Sequence, residues 1–320
     1  MVVRLRSRVD CVVVGAGVSG LSCAIRLLEA DHSVRIIARE FSPNLVSDRA
    51  AALWYPFLAH PVEKTDRWGT ETYAELLRLG KGELSAGITM RKGREYLRER
   101  VELPGWREDI THFRVLDSDE IPKPWVFGWE FESPIIEMPY YMPWLITRTR
   151  ELGGIVESGE VGDLSEIKAD LVVNCSGIGA RELCDDSELH PVRGQVIYIE
   201  QDPGYGRFDQ QPETLTYTIA RRDCTVLGGT AQVDDWNLEI READREEILT
   251  KCEAVWPELD RSKIVAEAVG LRPSRSEVRL ESEILDNGIP VIHNYGHGGA
   301  GVTLSWGCAD EVVSIAKKFA

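Results

Sequence analysis

Three glycines near the start of the chain have the spacing of a nucleotide-binding loop. Gly15, Gly17 and Gly20 form a GxGxxG motif between the apolar run Val12 to Val14 and the helical pattern Leu21 to Ala30. In this motif the first glycine permits a tight turn, the second admits a pyrophosphate close to the backbone, and the third lets helix and strand pack closely. Because the helix N-terminus then faces the ligand, it stabilises the negative charge. We expect the whole loop to contact a dinucleotide, including Ala16, Val18 and Ser19.

The residues after the motif predict a complete βαβ unit. A second strand-like run, Ser33 to Ala38, follows the helical pattern and ends at Arg39 and Glu40. An acidic residue at the end of this strand commonly binds a ribose hydroxyl, so Arg39 and Glu40 are candidates for the ribose end of the site. The motif does not distinguish NAD from FAD, and a glycine-rich turn without a ligand is the alternative.

A second glycine-rich segment lies near the C-terminus. Gly296, Gly298 and Gly301 also fit GxGxxG, but too few residues follow for a returning strand. This segment instead predicts a loop that brings backbone amides and the N-terminus of a closing helix, about Leu304 to Phe319, against a ligand. One nucleotide-binding unit plus such a loop suits a flavoprotein that lacks a nicotinamide site.

Two histidines beside this loop could suggest a metal site. His293 and His297 stand four residues apart, which would place both on one face of a helix. Four glycines between 296 and 301 make a helix there unfavourable, and the chain has no CxxC motif. We therefore predict that both histidines are structural and that no metal is bound.

Composition limits the classes of partner. The 320 residues include 37 Lys and Arg against 53 Asp and Glu, a formal net charge of −16. Such a chain repels nucleic acid, and 43% hydrophobic with 28% charged residues is typical of a globular protein. No apolar stretch is long enough to span a membrane. Seven dispersed cysteines predict small core residues in a reducing, cytoplasmic compartment.

The order of the elements predicts an α/β fold with two discontinuous domains. Strand-like runs alternate with helical patterns at both chain ends and around 145–180, whereas the runs near 192–200 and 215–230 resemble a mixed or antiparallel sheet. We expect a Rossmann-like dinucleotide-binding domain over 1–50, 135–192 and 285–320. A substrate domain on a mixed, largely antiparallel β-sheet would cover 51–134 and 193–284. The segments Pro122 to Pro143 and Gln201 to Thr216 are predicted to be surface loops or lids.

Several separated segments, in unchanged order, resemble the FAD-dependent D-amino acid oxidase family, which also includes the D-aspartate oxidases. The matching segments are VVVGAGVSGLS (Val12 to Ser22), AALWYPF (Ala51 to Phe57), LVVNCSGIGA (Leu171 to Ala180), HPVRGQV (His190 to Val196), VLGGTAQVDDWN (Val226 to Asn237), VGLRPSR (Val269 to Arg275) and HNYGHGGAGVTLSWGCA (His293 to Ala309). The resemblance covers most of the chain, and the segment His293 to Ala309 is the most specific. Since the C-terminal residues are not a peroxisomal address, a prokaryotic-type member is expected.

The resemblance implies FAD as the cofactor and assigns site residues. The first glycine loop would hold the pyrophosphate, and Val172 and Ser176 would line the adenine side. Further cofactor contacts would come from Ala51, Ala52, Leu53, Gly298, Gly299, Gly301, Val302 and Thr303. Among the catalytic residues, Tyr217 and Arg272 would hold the substrate carboxylate and a carbonyl near Gly299 would hold the amine.

The chemistry of two of these residues supports the assignment independently. A carboxylate that enters a protein of net charge −16 needs a dedicated cation, and a guanidinium binds carboxylate through two parallel hydrogen bonds. Pro273 favours an extended backbone at Arg272, and Tyr217 would add a third hydrogen bond. Each residue taken alone would more often be a surface arginine or a core tyrosine.

Three positions depart from the family pattern. Tyr55 replaces a glutamine of mammalian members and is expected to reshape the pocket wall. Glu213 stands where some members have a lid tyrosine. Ala231 stands where D-aspartate oxidases carry an arginine, and without that cation an acidic side chain would be poorly paired.

These observations predict oxidative deamination of neutral D-amino acids, with hydride transfer from the α-carbon to FAD and release of an α-keto acid, ammonia and hydrogen peroxide. No catalytic acid or base is then needed. Oxygen and the D-amino acid would be the partners, together with a possible homodimer. The alternatives are a glycine or sarcosine oxidase, a D-aspartate oxidase and a non-catalytic dinucleotide-binding module.

Overall fold

The computed structural model describes residues 8–56, 59–209, 211 and 214–320. The strands are β1 (Asp10–Val14), β2 (Ser33–Ala38), β3 (Ile88–Leu97), β4 (Phe113–Val115), β5 (Phe127–Ile136), β6 (Ile155–Ser158), β7 (Leu171–Asn174), β8 (His190–Ile199), β9 (Gly206–Asp209), β10 (Thr216–Ala220), β11 (Thr225–Gly228), β12 (Gln232–Val233), β13 (Ile264–Ile284) and β14 (Pro290–His297). The helices are α1 (Val18–Glu29), α2 (Val62–Gly82), α3 (Met138–Glu151), α4 (Ala180–Leu183), α5 (Glu242–Val255) and α6 (Gly301–Ala316).

Five strands form a parallel layer at one end of the sheet, in the order β14-β7-β1-β2-β6. Strand β1 lies between β7 and β2, and its residues Cys11 to Val14 are all buried. Such an unbroken apolar run is typical of a parallel strand that is covered on both faces. The unit β1-α1-β2 predicted from the glycine motif is therefore present, with β1 and β2 parallel along their length.

The remaining strands are largely antiparallel. They run in the order β4-β5-β3-β9-β10-β11-β8-β13, with one parallel pair, β3 and β9. Strand β13 pairs with β8 on one side and β14 on the other, so it joins the two kinds of sheet into one. This confirms the predicted fold class, a Rossmann-like unit combined with a mixed, largely antiparallel sheet.

Helices cover the parallel layer. Helix α1 buries the predicted face Leu21, Ile25 and Leu28, and it packs against α3 and α6. Helix α6 begins at Gly301 and ends at Ala316, earlier at both ends than the predicted Leu304 to Phe319. The glycine-rich start has no apolar periodicity, which is why the sequence pattern locates the helix too late.

The two segments predicted to be surface loops contain buried strands. Pro122 to Pro143 includes all of β5 and the start of α3, and Trp125 and Trp129 are buried there. Gln201 to Thr216 includes β9, whose four residues are all buried. Both predictions were wrong, because the residues between the Pro and Gly positions form the largely buried strands β5 and β9. Glu213 lies outside the described residues.

All seven cysteines are free, and five of them are buried. No helix among the described residues is both long and apolar enough to cross a membrane.

Candidate functional site

A cavity of about 1330 Å³ extends along the junction between the parallel layer and the antiparallel strands. Its lining includes the loop after β1, the end of β2, the N-terminus of α6, and residues of β10 and β13. It therefore brings together both glycine-rich loops and the two predicted carboxylate-binding residues.

The first glycine loop forms a cradle at the N-terminus of α1. Gly15 has a φ of 106°, and a Cβ atom there would lie 2.4 Å from the carbonyl oxygen of Cys175. Only glycine fits this conformation in this space. Gly17, which caps α1, lines the cavity together with Ala16, Val18 and Ser19.

Gly20 has a packing role. A Cβ atom on Gly20 would lie 2.0 Å from the carbonyl oxygen of Gly15, so any side chain would push α1 away from the turn. Gly20 does not line the cavity, in agreement with the role of the third glycine in this motif.

Ser47 supports the same cradle from a neighbouring segment. The Val18 backbone N–H donates to Ser47 Oγ at 3.1 Å. Residues Asn44 to Ser47 line the cavity although no sequence motif marked them.

The predicted ribose and adenine residues divide into two groups. Arg39 and Glu40 are exposed at the end of β2 and line the cavity, as does Ser176 after β7. Asn174 Oδ1 holds Ser176 by accepting from its backbone N–H at 3.2 Å and from its Oγ at 2.7 Å. Val172 instead lies fully buried in the core of the parallel layer and is not part of the cavity wall.

The second glycine loop meets the segment Ala51 to Leu53 across the cavity. Gly298, Gly299, Gly301, Val302 and Thr303 line one side, and Ala51, Ala52 and Leu53 line another. Thr303 Oγ1 donates to the Tyr55 carbonyl oxygen at 3.1 Å, and the Tyr55 backbone N–H lies 3.3 Å from the same Oγ1. This exchange fixes α6 to the segment that leads into the antiparallel strands.

Tyr217 on β10 and Arg272 on β13 meet in the cavity. Arg272 Nη1 donates to the Thr230 carbonyl oxygen at 2.9 Å, and no carboxylate of the described residues pairs with the guanidinium. A Cβ atom on Gly194 would lie 2.4 Å from both Nη atoms, so this glycine on β8 provides the space for the arginine. A guanidinium without a carboxylate partner, in an acidic protein, is suited to bind a carboxylate ligand.

Burial also controls the protonation of the tyrosine. Desolvation raises the pKa of Tyr217, and the adjacent Arg272 opposes that rise. The phenol therefore remains a neutral hydrogen-bond donor at physiological pH.

Apolar and aromatic side chains form the wall beyond this pair. Leu215, Ile219 and Phe208 line the cavity together with Tyr55. The Tyr55 hydroxyl donates to Glu95 Oε2 at 2.5 Å, and burial raises the pKa of Glu95 to about 7. No sequence motif marked Glu95, which is one of four charged residues in β3.

The two histidines near the second loop make structural contacts. His293 Nε2 lies 2.7 Å from Glu283 Oε1, and His297 Nε2 lies 3.1 Å from Asn294 Oδ1. Both lie on β14, where successive side chains alternate, and not on a helix. Among the described residues no cluster of His, Cys, Asp or Glu could hold a metal ion.

This arrangement fits a flavin dinucleotide. The Gly15 to Ser19 cradle suits a pyrophosphate, because a Cβ atom at Gly15 would clash with the chain behind it and the residues at the N-terminus of α1 line the cavity. The same cavity is lined by Ala51 to Leu53 and by Arg272 and Tyr217, so it has room for a flat ring as well as for the substrate clamp.

Comparisons with known proteins agree with this geometry. A family model described as "FAD dependent oxidoreductase" matches residues 10–315. The D-amino-acid oxidase of Rubrobacter xylanophilus is 44% identical over 98% of this chain and 98% of its own length. The D-aspartate oxidase of Homo sapiens is 37% identical over 95% of this chain and 93% of its own length. A solved glycine oxidase from Geobacillus kaustophilus shares the fold, with a TM-score of 0.80 at 16% identity over 97% of this chain and 95% of its own. The chain therefore belongs to the D-amino-acid oxidase family of FAD dependent oxidoreductases.

Proposed function

We propose that this protein catalyses the flavin-dependent oxidative deamination of D-amino acids to α-keto acids, with release of ammonia and hydrogen peroxide. The observation that carries the proposal is the Arg272 and Tyr217 pair, which faces the same cavity as both glycine-rich loops. Near full-length similarity to D-amino-acid oxidases supports the same reaction.

Each part of the cavity has a role in this proposal. Gly15, Gly17 and the N-terminus of α1 would hold the FAD pyrophosphate, with Gly20 keeping that helix close to the turn. Arg39 and Glu40 would lie near the ribose, and Ser176 near the adenine. FAD, when bound, supplies the acceptor for the hydride that leaves the substrate α-carbon.

The protein's own contribution is binding and orientation. Arg272 would bind the substrate carboxylate through parallel hydrogen bonds, and the neutral Tyr217 hydroxyl would donate one more. A backbone carbonyl near Gly299 would accept from the free amine. Holding the carboxylate and amine together fixes the direction of the α-hydrogen, and the apolar wall of Phe208, Leu215 and Ile219 excludes water from it.

The pocket favours a neutral side chain over an acidic one. Ala231 lines the cavity and provides no second cation for a side-chain carboxylate. The buried Glu95, behind the Tyr55 wall, would repel an acidic substrate as well. D-aspartate oxidation is the second candidate, because the human D-aspartate oxidase is 37% identical over 95% of this chain.

We further propose the domain division 1–50, 135–192 and 285–320 for FAD and 51–134 and 193–284 for substrate. The position at which the sheet changes from parallel to antiparallel pairing supports it. A homodimer rests on the family alone, and analytical ultracentrifugation would test it. Seven unpaired cysteines support a cytoplasmic location, which cell fractionation would test.

The decisive experiment is the visible spectrum of the purified protein under anaerobic conditions, before and after separate additions of D-alanine, L-alanine, D-aspartate and glycine. A yellow protein that D-alanine bleaches and L-alanine does not supports the proposal. Bleaching by glycine alone or by D-aspartate alone would replace the substrate. A protein that stays colourless after added FAD would contradict the flavoprotein assignment.

A further inference from the structure

A chain of hydrogen bonds runs from an exposed carboxylate on β13 to the loop after β7. Glu283 Oε1 lies 2.7 Å from His293 Nε2, and His293 Nδ1 lies 3.3 Å from Asn174 Nδ2. Asn174 Oδ1 then accepts from the backbone N–H of Ser176 at 3.2 Å and from its Oγ at 2.7 Å. His293 and Asn174 are fully buried, whereas Glu283 is exposed and Ser176 lines the cavity. The chain therefore connects the protein surface to the cavity wall.

The orientation of the Asn174 amide is fixed by its partners. A backbone N–H can only donate, so the amide oxygen must face Ser176 and the amide nitrogen must face His293. The same nitrogen donates to Cys184 Sγ at 3.0 Å, and burial raises the pKa of this thiol, which is therefore uncharged at physiological pH. Both N–H groups and both oxygen lone pairs of the buried amide are used, so turning it over would leave donors facing donors.

This orientation determines which nitrogen of His293 carries the proton. Asn174 Nδ2 donates, so His293 Nδ1 must accept, and the proton lies on Nε2, where Glu283 accepts it. A second proton on Nδ1 would point at the amide hydrogens of Asn174 and remove the lone pair that they use. The chain of hydrogen bonds is therefore complete only while His293 is neutral.

The surroundings of His293 keep it neutral at physiological pH. Burial lowers its pKa, the Glu283 carboxylate opposes that change, and Arg279 and Glu281 on the same strand add effects of opposite sign. The Tyr295 ring on β14 packs edge-on, 5.7 Å away between ring centroids, and the thiol after α4 lies 3.9 Å from Nδ1. The net direction of the pKa is downward, so the second proton binds only in acid.

Ser176 is the end of the chain that a ligand would contact. It follows the parallel strand β7, and Gly177 to Gly179 line the cavity beside it. Its N–H and its hydroxyl hydrogen are both donated to Asn174, so Oγ keeps lone pairs for a ligand that donates. An adenosine group offers such donors in its amine and its ribose hydroxyls. The amide of Asn174 thus sets the position of an acceptor on the cavity wall.

We infer that neutral His293 is a positioning residue for the adenosine half of FAD: through Asn174 it holds Ser176 in the conformation that binds this half, and protonation of His293 weakens FAD binding without weakening contacts to the flavin half. The inference rests on the proposed function, since it takes the cavity to hold FAD with its adenosine near Ser176. Glu283 accepts the Nε2 proton and so fixes the tautomer that the chain requires.

The first test uses two substitutions of His293 that each keep one of its two contacts. In His293→Asn the amide oxygen replaces Nδ1 and can still accept from Asn174, whereas in His293→Gln the amide nitrogen replaces Nε2 and keeps only the contact with Glu283. We expect His293→Gln to raise the Kd of the apoprotein for FAD about tenfold or more, because a buried donor of Asn174 is left without an acceptor. His293→Asn should keep a Kd close to the wild-type value. Quenching of flavin fluorescence during titration would measure both.

FMN is the control ligand, because it carries the flavin and one phosphate but no adenosine. Both His293 variants should bind FMN with the wild-type Kd. ADP, which carries the adenosine and the pyrophosphate without the flavin, should lose affinity in His293→Gln as FAD does when it is added as a competitor. An equal loss of FMN and FAD affinity in His293→Gln would show a general structural defect and overturn the positioning role.

The second test is the pH dependence of FAD binding, from roughly pH 8 to roughly pH 4.5. As the pH falls, His293 gains its second proton, and the wild-type Kd for FAD should rise about tenfold relative to that of His293→Asn at the same pH. The exposed variant Glu283→Gln removes the charge that raises the pKa of His293. Its rise in Kd should therefore occur at a lower pH than the wild-type rise.

The outcomes are distinct. Equal Kd values for FAD in His293→Gln and His293→Asn, or a wild-type pH profile that coincides with that of His293→Asn, would overturn the role of His293. Should both variants fail to fold, the wild type and Glu283→Gln decide the question, and coincident pH profiles of these two would contradict the inference. A protein that binds FAD in the expected way yet oxidises no D-amino acid would instead overturn the proposed function.

Discussion

At the scale of single residues, Arg272 has the largest expected effect on substrate binding. Arg272→Ala should raise KM for D-alanine by about two orders of magnitude, because charge-assisted hydrogen bonds to the carboxylate are lost. Arg272→Lys keeps the charge without the parallel donors, so its KM should fall between those of the wild type and Arg272→Ala. Steady-state kinetics with the FAD-saturated variants would measure both. An unchanged KM in Arg272→Ala would remove this residue from the carboxylate site.

Ala231 offers a second test at this scale. Ala231→Arg places a cation on the cavity wall, and it should improve kcat/KM for D-aspartate relative to D-alanine. Measuring both substrates in the same variant controls for a general loss of activity. If the relative preference does not change, position 231 does not face the substrate side chain.

At the scale of elements, the pairing of β8 with β13 positions the arginine. Gly194 on β8 pairs with Gly270 on β13, and the two differ in what a methyl group would meet. At Gly194 it would lie 2.4 Å from the Arg272 guanidinium, whereas at Gly270 the nearest atom is 3.6 Å away, on Arg49. Gly194→Ala should therefore raise KM for D-alanine about tenfold or more by displacing the guanidinium.

Gly270→Ala is the matched control for that variant. Its added methyl group makes only ordinary contacts, so KM for D-alanine should stay close to the wild-type value. Equal increases in KM in both variants would show that general strain in the strand pair, and not the position of Arg272, is responsible.

At the scale of elements it is also clear which site residues can be predicted from the sequence. The glycine cradle and the strands β1 and β2 follow from local patterns, because their residues are consecutive and each has one dominant physical role. Gly194, Ser47 and Glu95 gain their roles from partners far along the chain, and no spacing within one segment indicates such partners. Val172 lies within a matching segment, but its side chain packs into the core of the parallel layer and does not line the cavity.

At the scale of the whole molecule, Glu95 should affect stability in a pH-dependent way. Its pKa is about 7 in the folded protein against an ordinary 4.5, because of burial. Between these pH values the folded state binds more protons than the unfolded state, so this group lowers the free energy of unfolding as pH rises. The Glu95→Gln variant does not have this loss, so well above pH 7 it should gain on the order of 3 kcal/mol relative to the wild type, compared with their difference below pH 4.5.

Thermal unfolding between pH 4.5 and pH 8 would measure this difference, with Glu99→Gln as the exposed control. A gap between wild type and Glu95→Gln that stays constant with pH would contradict the raised pKa.

The cavity contacts both kinds of sheet, so FAD should stabilise the molecule as a whole. Added FAD at 100 times its Kd should contribute about 2.7 kcal/mol, seen as an increase in Tm of the apoprotein of a few degrees. Riboflavin lacks the pyrophosphate that the first glycine loop would bind, so it serves as the control. Equal shifts with both compounds would remove that loop from the cofactor site.

Strand β13 pairs through Ser274 with His190 of β8 and with His297 of β14. Ser274 lies two residues after Arg272, and its partner His297 immediately precedes Gly298. This one strand therefore holds both Arg272 and the Gly298 loop. Backbone hydrogen bonds, which are common to every sequence that keeps this sheet, therefore set the separation between the proposed carboxylate anchor, Arg272, and the proposed cofactor loop at Gly298. Strands β3 and β9, which carry Glu95 and Phe208, lie several strands away. Substitutions in β3 and β9, by evolution or engineering, could therefore change which substrate side chain is preferred without changing the distance between Arg272 and the Gly298 loop.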